Sequence, residues 1–236
     1  MATVILVRHG RSTANTAGVL AGRLPDVLLD ATGEVQAKAV GERLSAVRLA
    51  AVYSSPLERC RQTAAAVLAT RSEGPALQVE ERLTECGYGA WQGRPIKELA
   101  GEPLWSTVQS HPSAVTFPEG EAMQAMASRA VAAIRELDAA VEEAHGPSAV
   151  WVAVSHGDVI KAILADAMGT HLDNFQRIVV DPASVSLVRF TQARPFVMAS
   201  NTHGGDLAWL NVQPPAAATD AVPGGGAGPG SPSAHP

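Results

Sequence analysis

Cysteine is scarce: Cys60 and Cys86 are the only two in 236 residues. Neither has a partner at Cys-x-x-Cys spacing, which argues against a thiolate zinc site. Neither opens a Cys-x5-Arg loop, because Ala66 and Gln92 stand where the arginine would be. A cysteine-based phosphatase is thereby excluded. Long apolar runs are also lacking, and none approaches the roughly 20 residues that span a bilayer. The N-terminus has no charged region followed by a long apolar stretch, so no signal peptide is expected. Basic charge is short as well. A net charge of −5 and a pI near 5.8 lack the footprint of a nucleic-acid or anionic-membrane binder. Any anionic ligand must be drawn by local arginines. The expectation left standing is a cytoplasmic protein with neither nucleic acid nor membrane as partner.

What is present fits a globular domain. Apolar residues make up 46% and charged residues 17%, ordinary values for a folded chain. The length suits one large domain, or two small ones, with a real core. Residues 214–236 differ, with 11 Pro or Gly and no aromatic side chain. Such a segment cannot bury enough surface to offset chain entropy, so it is expected to be a disordered tail behind a domain spanning 1–213.

Two stretches share one design. Val4-Ile5-Leu6-Val7 is an apolar run followed by Arg8-His9-Gly10. Ala149 to Val154 is a longer one, followed by Ser155-His156-Gly157-Asp158 and a helix from Val159 to Ala167. Continuous apolar runs of this length read as buried parallel strands. Gly10 is expected to turn the chain tightly and let backbone approach a ligand. Arg8, His9 and His156 would then stand at carboxyl ends of strands, where open α/β sheets bind ligands. A guanidinium beside an imidazole suits a phosphate, since Arg offers a rigid fork of donors. A surface Arg-His pair is the plainer reading of the first stretch alone.

A third strand, Ala51-Val52-Tyr53, ends in Ser54-Ser55-Pro56, where Ser55 can cap a helix and Pro56 open it. Arg59 and Arg61 fall in that helix's first turns, near its positive end. Asn15 can reach the same anion as Arg8, or simply form a turn. From Gly33 a helix is expected, with Val35, Ala39, Val40, Leu44 and Val47 on its buried face. The stretch from Leu83 to Gly93 holds three glycines, the carboxylate Glu85 and two aromatics, as site loops often do. Glu85 there is either functional or merely solvated. A further helix should begin near Gly120-Glu121, with Met123, Met126, Ala130, Ile134, Leu137 and Val141 as its apolar stripe. Val185–Phe190 and Phe196–Ala199 read as two strands joined by a turn at Gln192 to Pro195.

Taken in order, these pieces resemble the histidine phosphatase superfamily, also called phosphoglycerate mutase-like, from about Val4 to Val188. The boxes that carry the likeness are Arg8-His9-Gly10 with Asn15, and Gly22-Arg23 with Asp26. They continue with Ser55-Pro56-Leu57-Glu58-Arg59-Cys60-Arg61-Gln62-Thr63-Ala64, the Glu85 to Gly93 loop, Pro118-Glu119-Gly120-Glu121, and His156-Gly157. The resemblance implies an α/β fold, three layers α/β/α around a mainly parallel sheet. It implies phosphomonoester hydrolysis on a small phosphorylated metabolite through a phosphohistidine, with no metal and no other cofactor. His9 would be the nucleophile and Glu85 the proton donor. Arg8, Asn15, Arg59, His156 and the Gly157 backbone would hold the phosphate. The oligomeric state stays open, a homodimer included.

Two positions depart from the family pattern. Arg11 stands where members often have Glu or Gln, and it either extends the positive pocket or faces solvent. The segment from Trp105 to Phe117 contains no arginine, whereas the family's mutases carry adjacent arginines there to hold a substrate carboxylate. A phosphatase is therefore favoured. The alternatives are a mutase using Arg11, Arg23 or Arg94, and a non-catalytic phospho-ligand module. A metallohydrolase on His9, His156 and Asp158 lacks the usual ligand spacing. Trp91, Trp105 and Phe117 either wall the pocket or pack locally.

Overall fold

The computed structural model describes residues 2–204 together with Pro223 and Gly224. Six strands form one sheet: β1 (Thr3–Arg8), β2 (Ala51–Ser54), β3 (Leu77–Val79), β4 (Val150–Ser155), β5 (Val185–Arg189) and β6 (Phe196–Thr202). Their spatial order is β3-β2-β4-β1-β5-β6. The β3–β2, β2–β4 and β4–β1 pairs are parallel. An antiparallel hairpin, β5–β6, completes the sheet beside β1. The helices are α1 (Thr13–Ala17), α2 (Ala31–Leu44), α3 (Glu58–Ala69), α4 (Ile96–Leu99), α5 (Trp105–Ser110), α6 (Met123–His145) and α7 (Gly157–Ala167).

The apolar runs distribute their side chains to the two sheet faces in alternation. Ile5, Val7, Val52, Val152 and Val154 share a buried cluster with Val40 and Leu44 of α2 and Cys60, Ala64 and Val67 of α3. Val4, Leu6, Ala51, Trp151 and Ala153 join Ile134 of α6 and Ile160 and Leu164 of α7 in a second cluster. The result is the expected three-layer α/β/α fold with a mainly parallel sheet. Trp151 is buried completely, and its indole N–H donates to Asp138 Oδ1 at 2.8 Å. That bond keeps the ring's polar edge satisfied inside the core.

Register sets the site. Arg8 pairs with Ser155 across β1–β4, and Ser54 with Val154 across β2–β4. The next residues in each strand, His9, His156 and Ser55, therefore emerge together at one edge of the sheet.

Two local expectations change. The buried face of α2 is Gly33, Ala37, Val40, Gly41 and Leu44, while Val35 is 69% exposed and Ala39 is exposed. The reason is close packing on α3: a Cβ on Gly41 would come 2.5 Å from the Ala66 carbonyl oxygen. Small residues mark that face together with Val40 and Leu44, the two expected residues of α2 that it does bury. Gly10 serves backbone packing of a similar kind, since a Cβ there would meet the Gly33 oxygen at 2.5 Å. β3 has no apolar signal in the sequence, being short, with Gln78 and Val79 exposed. Of the tail at 214–236, only Pro223 and Gly224 are described; the expectation of disorder otherwise lies outside the described residues. Among the described residues, no helix is long and apolar enough to cross a membrane.

Candidate active site

His9 directly follows β1, and its backbone N–H is tied to the Ser155 carbonyl at 3.0 Å. Its Nδ1 lies 2.7 Å from the Gly10 carbonyl oxygen. A carbonyl only accepts, so Nδ1 carries the proton and Nε2 keeps its lone pair. Burial, then the charges of Arg59 and Arg8, push the His9 pKa well below its ordinary value. The ring is thus neutral, with a nucleophilic nitrogen toward the pocket.

Arg59 enters from the first turn of α3. Its Nε donates toward His9 Nε2 at 3.3 Å, and Nη2 donates to the Gly22 carbonyl at 2.8 Å. Arg8 is 1% exposed, and its Nη1 donates to the Val180 carbonyl at 2.8 Å. His156 directly follows β4, with its ring centroid 5.2 Å from that of His9. Burial, then Arg59 and His9, hold its pKa well below the usual range. Ser55 Oγ sits 2.7 Å from His156 Nε2, which turns Nδ1 toward Arg59 Nη2 at 3.3 Å. Ser55 is therefore not a helix cap. α3 starts at Glu58 behind Leu57, without a side-chain cap bond. Gly157 opens α7 directly after His156, so the positive end of that helix lies next to the His156 backbone.

Glu85 closes the opposite side, 3% exposed. Its Oε1 accepts from the Cys86 N–H at 2.9 Å, and Oε2 lies 3.9 Å from His156 Nδ1. Burial and the nearby Asp158 charge raise its pKa to about 7. The carboxyl can thus carry a proton near neutral pH, as a general acid must. Its backbone is pinned by two arginines: the carbonyl accepts from Arg23 Nε at 2.8 Å and Arg129 Nη2 at 3.0 Å. Glu121 holds both arginines at 2.7 Å. Burial raises the Glu121 pKa, but hydrogen bonds from Arg129 and Gly87 outweigh it and hold the carboxyl below its ordinary range.

His9, Asn15, Gly22, Arg59 and Glu85 line one cavity with Pro223 and Gly224. Asn15 also closes a reciprocal cap with Ser12 at the start of α1, which is its turn-forming reading, while it lines the same cavity as His9. Arg11 turns away onto Asp30 Oδ2 at 2.7 Å and does not extend the pocket. Trp91 packs against Trp105 and Phe117 at 6.2 and 5.3 Å between ring centroids, inside the core cluster rather than on a pocket wall. Asp158 Oδ2 accepts from Tyr88 Oη at 2.8 Å. Among the described residues, no group of three or more His, Cys, Asp or Glu side chains is placed to hold a metal ion. Ser55, Arg129 and Tyr88 are contacts that sequence reasoning missed. Only the Ser-Ser-Pro before α3 offered a hint, and it read as local capping.

Comparison with known proteins gives the class. The model of the histidine phosphatase superfamily (branch 1) matches residues 4–203, and the chain belongs to that superfamily. It is a phosphomonoester hydrolase of the phosphohistidine type. It is 31% identical over 207 residues to phosphoserine phosphatase 1 of Hydrogenobacter thermophilus, covering 85% of this chain and 92% of that one. Identity to the metal-independent phosphoserine phosphatase of Arabidopsis thaliana is 35% over 164 residues, 68% of this chain and 66% of that protein. The solved structure of Bacillus stearothermophilus YhfR superposes with a TM-score of 0.78 at 26% identity, covering 86% of this chain and 98% of that one.

Proposed function

We propose that His9 is the phosphoryl acceptor and Glu85 the proton donor in hydrolysis of a small phosphomonoester, phosphoserine being the first substrate to try. The observation that carries this is the His9 ring. Its Nδ1 is held by the Gly10 carbonyl, and Nε2 faces a space that Arg59 and Glu85 also line. Nε2 attacks phosphorus and forms the N–P bond, while the ester P–O bond breaks and the leaving oxygen takes the Glu85 proton. Water then attacks the phosphorus of the phosphohistidine, the N–P bond breaks with its electron pair returning to His9 Nε2, and the Glu85 carboxylate accepts the water's proton. Charge on the equatorial oxygens is met by Arg8, Arg59, His156 and the amide end of α7. Fixed cations held by backbone carbonyls need no reorganisation as charge develops.

Relatives named phosphoserine phosphatase support the choice of substrate. The mutase alternative needs a retained, turning intermediate, for which the arginine-free stretch from Trp105 to Phe117 supplies no carboxylate holder. The test is product analysis on phosphoserine and 3-phosphoglycerate, before and after exhaustive EDTA treatment. Free phosphate released at an unchanged rate fits the proposal. An isomer, or a rate restored by one added metal, counts against it.

A further inference from the structure

The Pro223–Gly224 turn sits in the mouth of the site just described. The Gly224 N–H donates to Asp158 Oδ2 at 2.9 Å, and its carbonyl accepts from Arg8 Nη2 at 3.2 Å. Both partners are charged and buried, Arg8 at 1% and Asp158 at 0% exposure. One peptide residue thus meets a donor and an acceptor at the base of the pocket. Pro223 beside it is buried. Gly224 has φ +75°, the left-handed value that glycine adopts readily after proline in a turn. The fit is close: a Cβ on Gly224 would lie 3.3 Å from Leu20 Cδ1 and 3.6 Å from Tyr88 Oη.

The turn leaves little room. The cavity between it and His9, Arg59 and Glu85 is about 20 Å³. That admits roughly one water molecule and no phosphoryl ester. The turn also engages Arg8, a cation that the phosphate requires. We propose that the chain's C-terminal backbone is an intramolecular competitive ligand of the catalytic pocket, and that substrate enters only when the Pro223–Gly224 turn withdraws. A lid closing over bound substrate would need space for the phosphoryl group beneath it, and a cavity of this size has none. This inference rests on the assignment of Arg8 to phosphate binding. Tethering keeps the effective concentration of such a ligand high without strong contacts. The apparent affinity for substrate falls in proportion to the fraction of molecules left open.

The test uses the full-length chain and its Gly224→Val variant, with inorganic phosphate as the calorimetric probe. Valine disfavours the positive φ and crowds Leu20. If the turn competes, the variant binds phosphate about three- to tenfold more tightly, and KM for a phosphomonoester drops by the same factor at unchanged kcat. A synthetic peptide spanning Asp220 to Gly230, added to the variant, should raise KM again. The same peptide carrying valine at position 224 should not. Pro223→Ser in the full chain serves as a second variant if Gly224→Val does not fold. Equal phosphate affinity in all forms overturns the proposal, and weaker affinity in the variants shows instead that the turn helps build the phosphate site. Competition for phosphate without turnover in any form would sink the catalytic assignment alone. Normal turnover indifferent to both substitutions and peptide would sink the turn alone.

Discussion

Replacing Glu85 by glutamine separates the chemistry of the acid from its burial. Glutamine keeps the size and can still accept from the Cys86 N–H, so the loop held by Arg23 and Arg129 should persist. In the wild type the Glu85 pKa stands at about 7. The protonated, donating form is therefore lost as pH rises through neutrality. For an alkyl phosphate, whose leaving oxygen needs a proton, kcat/KM should fall above about pH 7, and the variant should be about 10²- to 10⁴-fold slower on the acidic side. For an aryl phosphate, which departs as a phenolate, the loss should be much smaller. Stability should change in the opposite sense. A carboxyl whose folded pKa is raised contributes stability fully present below its unfolded value near 4.5, and lost as pH rises through about 7. A rise of that size is worth up to about 3 kcal/mol. Glu85→Gln should thus match wild type in thermal unfolding around pH 4 and exceed it around pH 9. Rates measured on paired alkyl and aryl substrates across pH, beside melting curves of both proteins, decide the matter. Equal losses on the two substrates, with no gain in stability at high pH, would refute both the proton-donor role and the electrostatic reason for it.

Ser55→Ala removes the hydroxyl that holds His156 Nε2. A lost hydrogen bond of roughly 1.5 kcal/mol predicts kcat/KM lower by about tenfold, with recovery in Ser55→Thr. No loss, or no recovery, would count against a positioning role. Gly41→Ala should lower Tm by several degrees, because its Cβ would press on the Ala66 carbonyl and the Thr70 methyl. Overpacking of this kind costs about 1–3 kcal/mol. A higher Tm, from the better helix propensity of alanine, would show that α2 and α3 can separate freely.

How much of this was legible depended on whether the signal was local. β1, β2 and β4 are buried on both faces, so each wrote a continuous apolar run into the chain. The polar residues ending those runs then identified Arg8, His9 and His156. α6 showed its apolar stripe for a related reason, since one helix face packs against the sheet. The buried face of α2 showed only in part: Val40 and Leu44 carried it, whereas Gly33, Ala37 and Gly41 have no hydrophobic signal although the helix depends on their smallness. Ser55 was misread because its partner His156 lies far along the chain, whereas the nearby helix start suggested a cap. Arg129 and Arg23 pin the Glu85 loop from distant segments, and nothing near either arginine announces it. The Gly224 contacts are of the same class: turn chemistry is readable in Pro223-Gly224, but the pocket that receives it is not.

The most direct measurement on the central proposal is rapid quench of the enzyme during turnover of a phosphomonoester, followed by mass spectrometry of its peptides. Expected is an acid-labile, base-stable phosphoryl group on the peptide containing His9, formed within one turnover. It should be absent in His9→Ala, which should also release no phosphate. Phosphorylation of His9→Ala at the wild-type level, or steady turnover by that variant, would contradict the assignment of His9 as the nucleophile.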